Sequence, residues 1–224
     1  MATRLEVPVQ TPFSADQFFA VFAAYNTVMW PVQVFLWALG ISIVTVALRA
    51  PQYSRLVMAV VAALWVWMAV AYQWGFFAKI NPMAVAFGFL FMAEAAAIVW
   101  FGVKKRQLAL ADDATTGARF LSGALIAYAL IGYPIVGLLA GQRYPEMPTF
   151  GLPCPTTIFT LGILLLCKPR FPWLVLVVPV LWGLIGTTAA VSFGVVEDFA
   201  LSVVVALVVL ARAWPGRMHV ERMA

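Results

Sequence analysis

The sequence predicts an all-α, polytopic integral membrane protein with seven transmembrane helices plus an N-terminal interfacial amphipathic helix. Three observations carry this prediction. Hydrophobic residues make up 64% of the 224 positions and charged residues only 10%, against about 25% charged in an ordinary soluble domain. The apolar residues fall into runs of a length that crosses the roughly 30 Å hydrocarbon core of a bilayer. The Lys and Arg residues sit at the ends of those runs and form no stripe along a polar helix. The net charge of +5 therefore orients the chain in a membrane and gives no support to nucleic-acid binding.

The chain opens with a polar arm, Met1 to Pro12, that lacks the basic, apolar, small-residue order of a cleavable signal peptide and is expected to stay attached. Ser14 and Gln17 form a capping box and Phe13 with Phe18 the matching hydrophobic staple, so a helix starts at Ala15. Phe18, Phe19, Phe22, Tyr25 and Met29 then recur at helical spacing as far as Trp30-Pro31. Ala15 to Arg49 is 35 residues, too long for one span. Residues 15–30 are either an interfacial helix lying on the bilayer, separated at Pro31 from the first span, or the outer half of one long kinked helix; the first is the expectation. The spans are read as 31–49, 56–74, 83–103, 120–140, 154–168, 173–193 and 199–213, all within one membrane domain, 1–224.

Eleven of the 14 Lys and Arg residues (Arg49, Arg55, Lys104, Lys105, Arg106, Arg119, Lys168, Arg170, Arg212, Arg217 and Arg222) fall on one side of this topology. Arg4, Lys79 and Arg143 fall on the other. The imbalance places the N-terminus outside and the C-terminus in the cytoplasm. Trp30, Trp74, Trp100, Trp173 and Trp214 at the span ends fit the aromatic belt. The segment 104–118, with Asp112-Asp113, reads as a polar cytoplasmic loop.

The fifth span is the anomaly. Pro155 to Cys167 is only 13 residues, where a helix needs roughly 20 to cross. Irregular backbone must help, and at membrane depth it survives only buried in protein or lining a wet cavity. The stretch Thr149 to Thr160 is accordingly read as a pocket wall. Cys154 precedes Pro155 and is read as the helix N-cap, where the positive helix end makes a thiol a better ligand or nucleophile. The alternative is a rigid Pro-Cys-Pro turn in which the thiol only packs. Thr156 and Thr157 either satisfy freed backbone groups or line a path for a polar solute. Their N–H groups, if unpartnered in the first turn, favour an anion, and Lys79 and Arg143 on the flanking outer loops would add to that preference.

Glu94 lies near the middle of the third span, where an acid costs about 2.5–3.5 kcal/mol to insert. It is either functional or a neutral carboxyl hydrogen-bonded between helices. Tyr133-Pro134 marks a kink in the fourth span. Glu197-Asp198 opens the seventh, where acids complement the helix dipole. The cavity is expected between Glu94, Tyr133 and Thr157.

Several chemistries are excluded or unsupported. His219 is the only histidine, so no bis-histidine haem or His-based metal site exists. None of the four lysines, Lys79, Lys104, Lys105 and Lys168, lies in the last span to bind retinal. Cys154 and Cys167 lie about 20 Å apart on one helix, too far for a disulfide. No hydrolase or nucleotide-binding motif is present. No catalytic residue, metal ligand or cofactor is assigned.

In Asp16 to Asn26, Phe76 to Pro82 and above all Pro148-Thr149-Phe150-Gly151-Leu152-Pro153-Cys154-Pro155-Thr156-Thr157-Ile158-Phe159-Thr160, the chain resembles a family of small bacterial multi-pass membrane proteins of unknown function. The resemblance implies a bacterial inner-membrane location and transfers no activity. The expected function is binding or passive transport of a small anionic or polar solute or ion through an outward-facing cavity. Two alternatives stay open: a non-catalytic subunit of a larger membrane complex, and a Cys154-dependent membrane enzyme or metal handler. The lipid bilayer is the assured partner, and a homo-oligomer or a membrane partner subunit fits the same sequence.

Overall fold

The structure, a computed structural model, describes residues 12–111, 114–168 and 170–213. Arg4, Asp112, Asp113, Trp214, Arg217, His219 and Arg222, which entered the sequence reading, lie outside the described residues.

Helix α1 runs from Ala15 to Arg49, and its start is the expected one: Ser14 and Gln17 close the capping box in both directions. Its course differs from expectation. The helix continues unbroken through Pro31 for 35 residues, so 15–30 is not a separate interfacial helix. Pro31 removes one N–H from the ladder, but the buried stripe continues on either side of it through Phe22, Tyr25, Asn26, Gln33, Leu36 and Ile43. Packing on both sides outweighs the single lost bond. The opposite faces carry Val34 and Phe35, 64% and 62% exposed, which suit lipid.

The remaining helices follow in order: α2 (Ser54–Trp67), α3 (Met83–Ile98), α4 (Thr116–Ala127), α5 (Tyr133–Leu139), α6 (Pro153–Leu165), α7 (Leu174–Phe193) and α8 (Phe199–Ala213). Wider π-helical turns extend α2 over Met68–Trp74 and α3 over Val99–Lys104, and join α4 to α5 over Tyr128–Gly132. Among the described residues there is no β-strand, only two isolated bridges. Five helical stretches are long and apolar enough to cross a bilayer: Ala15–Arg49, Pro51–Lys79, Met83–Lys104, Thr116–Leu139 and Leu174–Phe193. Five of the seven expected spans thus coincide with helices of crossing length, while α6 has 13 residues and α8 has 15.

Short α6 is the centre of the bundle. Every residue from Pro155 to Leu165 is buried, and α4, α8 and α7 pack around it. Helix α6 lies close against α4 at Gly162, where a Cβ would lie 2.8 Å from Ile126 Cγ1 and 3.3 Å from the Ser122 carbonyl. Irregular segments meet both ends of α6. At its C-terminal end residues 107–111 turn inward, with Leu108 and Leu110 buried, and the Ala111 N–H donates to the Leu166 carbonyl at 2.8 Å. The Lys168 N–H returns a bond to the Ala109 carbonyl at 2.9 Å. This part of the expected polar loop is therefore a buried plug that satisfies helix-end groups.

At the other end residues 140–152 descend onto α1. The Asn26 amide donates to the carbonyls of Pro145 and Met147 at 2.6 and 2.8 Å, and Gln33 donates to Thr149 Oγ1 at 3.0 Å. Gly151 adopts φ +98, with Leu36 Cδ1 2.8 Å from where a Cβ would sit. Only glycine fits this turn without strain.

Candidate functional site

Leu152, extended at φ −87 and ψ 159, is the N-cap of α6, and Pro153 is its first helical residue. Cys154 is therefore one residue inside the helix, a correction to its reading as the cap. The Thr156 N–H bonds to the Leu152 carbonyl at 3.2 Å, so it is not an orphan donor, and Thr156 Oγ1 accepts from the Gly151 N–H at 3.1 Å. Pro153 and Pro155 have no N–H to offer. Among the described residues the first turn thus offers at most one free backbone donor, that of Cys154, which weakens the expected anion-attracting helix end.

Around this helix start lies a cavity of about 220 Å³. Phe13 just before α1 and Phe18 and Phe22 in its N-terminal part, Tyr72 from the π-turn after α2, and Trp182, Gly186 and Phe193 from α7 line it. The aromatic rings form a continuous wall: Phe18 stacks on Phe193 with centroids 4.8 Å apart, Phe13 on Phe193 at 5.3 Å, and Tyr72 on Phe77 at 5.7 Å. Pro12 and Thr188 are exposed members of the lining.

The polar end of the cavity is built by Tyr133, Cys154, Trp182 and Asp198. The Tyr133 hydroxyl donates to Asp198 Oδ1, and the half-buried Cys154 thiol lies within interaction reach of Asp198, Trp182 and Tyr133. The indole N–H of Trp182, a residue only 6% exposed, makes no hydrogen bond of regular geometry among the described residues. Asp198 belongs to a short 3-10 turn, Val196–Asp198, between α7 and α8. Burial pushes its carboxyl up to about 7; hydrogen bonds from Tyr133 and Cys154 pull it down, and the neighbouring Glu197 charge pushes it up. Glu197, buried against Gly137 beside Gln142, is also raised by burial.

The π-turn explains how two tyrosines reach this turn together. Five residues of α-helix would place Tyr128 and Tyr133 about 140° apart. The wider turn over Tyr128–Gly132 brings their rings to 6.0 Å, with the Tyr128 hydroxyl donating to the Glu197 carbonyl at 3.1 Å. Pro134 follows at the start of α5, so the expected irregularity at Tyr133-Pro134 takes the form of a π-turn.

Of the residues singled out from the sequence, the structure brings together Tyr133 and Cys154. Thr156 and Thr157 are wholly buried one turn deeper and do not line the cavity. Glu94 is also outside it: 1% exposed, with neither carboxyl oxygen hydrogen-bonded among the described residues. The expected polar contacts of Glu94 are therefore not seen. Lys79 is exposed with its Nζ 4.8 Å above the Phe76 ring, and Arg143 is exposed on the 140–152 segment; neither lines the cavity. The sequence reading missed Asp198, since an acidic pair before an apolar run looks like a dipole cap. The carboxylate is instead held by Tyr133.

Helices of this length and apolarity define an integral membrane protein with an aromatic chamber at one end of the bundle. The chain belongs to the family of unknown function DUF6064, which residues 15–219 match. Neither the curated proteins nor the solved structures compared contain a match.

Proposed function

We propose that the protein binds a small solute in the chamber at the start of α6 and lets it move passively, without ATP. The carrying observation is a cavity of about 220 Å³ walled by stacked rings, with one cluster of polar groups at its end. An apolar hollow with a few convergent polar groups is the usual form of a small-molecule site. Size sets a limit: an apolar cavity of about 150 Å³ takes up benzene, so this one suits a single ring with a short chain.

The membrane arrangement belongs to the same proposal. The chain crosses a bacterial inner membrane seven times, with α6 and α8 completing their crossings through irregular segments, the chamber facing outward and the C-terminus in the cytoplasm. In a Cys154→Ser, Cys167→Ser background, single cysteines at Arg106 and Glu146 are expected to label from the cytoplasmic and outer faces respectively. Labelling of both from one face overturns the topology.

The chamber itself is tested with 2-phenylethanol on the purified full-length protein. The compound is expected to raise the melting temperature, and Ala189→Phe, which fills the chamber from α7, is expected to abolish the rise. No rise with the wild type, or an undiminished rise with Ala189→Phe, overturns the reading.

A further inference from the structure

We propose that the solute of this chamber is an organic ammonium ion carrying one ring or a compact apolar body, seated with its charge at Asp198; this rests on the reading of the chamber as a solute site. Two independent features of the lining point there.

The first is charge. Asp198 is the only carboxylic acid among the described residues lining the cavity, and no Lys, Arg or His is among them. Asp198 is 2% exposed, and its partners, the Tyr133 hydroxyl and the Cys154 thiol, are neutral donors. Glu197, next in sequence and 1% exposed, adds negative potential from behind. A carboxylate taken out of water without a cation carries a large desolvation cost. An ammonium group entering the chamber supplies the missing partner, whereas a carboxylate or phosphate would meet like charge. The two nearby cations considered from the sequence, Lys79 and Arg143, stand outside the lining.

The second is the wall. Ring faces attract cations through their quadrupole, most strongly when both are desolvated, and aromatic enclosures are a recurrent solution for binding ammonium groups. Here Tyr72 and Trp182 join the phenylalanine wall of the same chamber as Asp198. The indole N–H of Trp182, which makes no regular hydrogen bond among the described residues, is neutral and donates to any ligand atom with a lone pair, so it does not reverse the preference set by Asp198.

The test compares three probes of one shape on the full-length protein in detergent at about pH 8, where the amine is protonated and the acid ionised: phenethylamine, 2-phenylethanol and phenylacetate. Phenethylamine is expected to bind at least tenfold more tightly than either of the others. Asp198→Asn, which keeps an acceptor for Tyr133, is expected to erase that preference, bringing the affinities for phenethylamine and 2-phenylethanol to within twofold of each other. Equal binding of all three probes, or preference for phenylacetate, overturns the ammonium assignment and leaves the chamber as a solute site. Binding of none overturns both. The wild-type probe series decides the assignment even if the variant does not fold.

Discussion

Raising the pH from about 4 to about 7 is expected to lower the stability of the unliganded protein by up to about 4 kcal/mol through Asp198 alone. The sign follows from the direction of the shift. Burial raises the carboxyl from 3.8 in its ordinary state to about 7 in the folded protein. The folded state therefore holds its proton where the unfolded chain has already released it. The contribution is fully present below the unfolded value, is lost as pH rises through the folded value, and is level above it. The measurement is the melting temperature of the wild type in mild detergent against pH, with that of Asp198→Asn subtracted to remove every other titrating group. A relative fall of roughly 10 °C is expected across this window, at about 2–4 °C per kcal/mol for a chain of this size. A flat difference, or one that rises with pH, would mean that Asp198 is already paired in the folded state.

The other large effect is steric. Gly162→Val is expected to destabilise the bundle by about 3 kcal/mol, at the upper end for overpacking. The reason is the identity of the obstructing atoms: besides the movable Ile126 side chain, the Ser122 carbonyl and the Ile126 N–H nitrogen lie 3.3 and 3.4 Å from the new Cβ. Backbone cannot step aside without separating α4 from the central helix. Gly123→Ala, on α4 itself, meets nothing within 4 Å and is expected to stabilise by up to about 1 kcal/mol through helix propensity. Opposite shifts in melting temperature would establish the contact; equal shifts would refute it.

What could be read from the sequence is the local and the periodic. Ser14 and Gln17 announce the start of α1 because both halves of a capping box lie within one turn. The shortness of the α6 segment announces irregular backbone, because bilayer thickness is fixed. What could not be read depends on which way side chains turn. Lys79 and Arg143 sit on the expected loops yet are exposed and do not line the chamber. Asp198 lies beside an apolar run in a position indistinguishable from a cap, and only the π-turn that delivers Tyr133 makes it part of a site. Pro31 reads as a boundary, since the rule for proline counts the lost hydrogen bond and is blind to the tertiary contacts of Asn26 and Gln33 that hold the helix together across it.

Because α6 is buried on all sides and closed at both ends by inward-turned chain, it has no surface with which to meet lipid. An isolated segment of its length would not partition into a bilayer as a stable crossing. Its place in the membrane is therefore a product of assembly: the helix is at home only once its neighbours have closed around it. The pocket wall that it carries, Pro153-Cys154-Pro155, comes into being at that same step, so any nascent or truncated chain lacking the surrounding helices has no site at all.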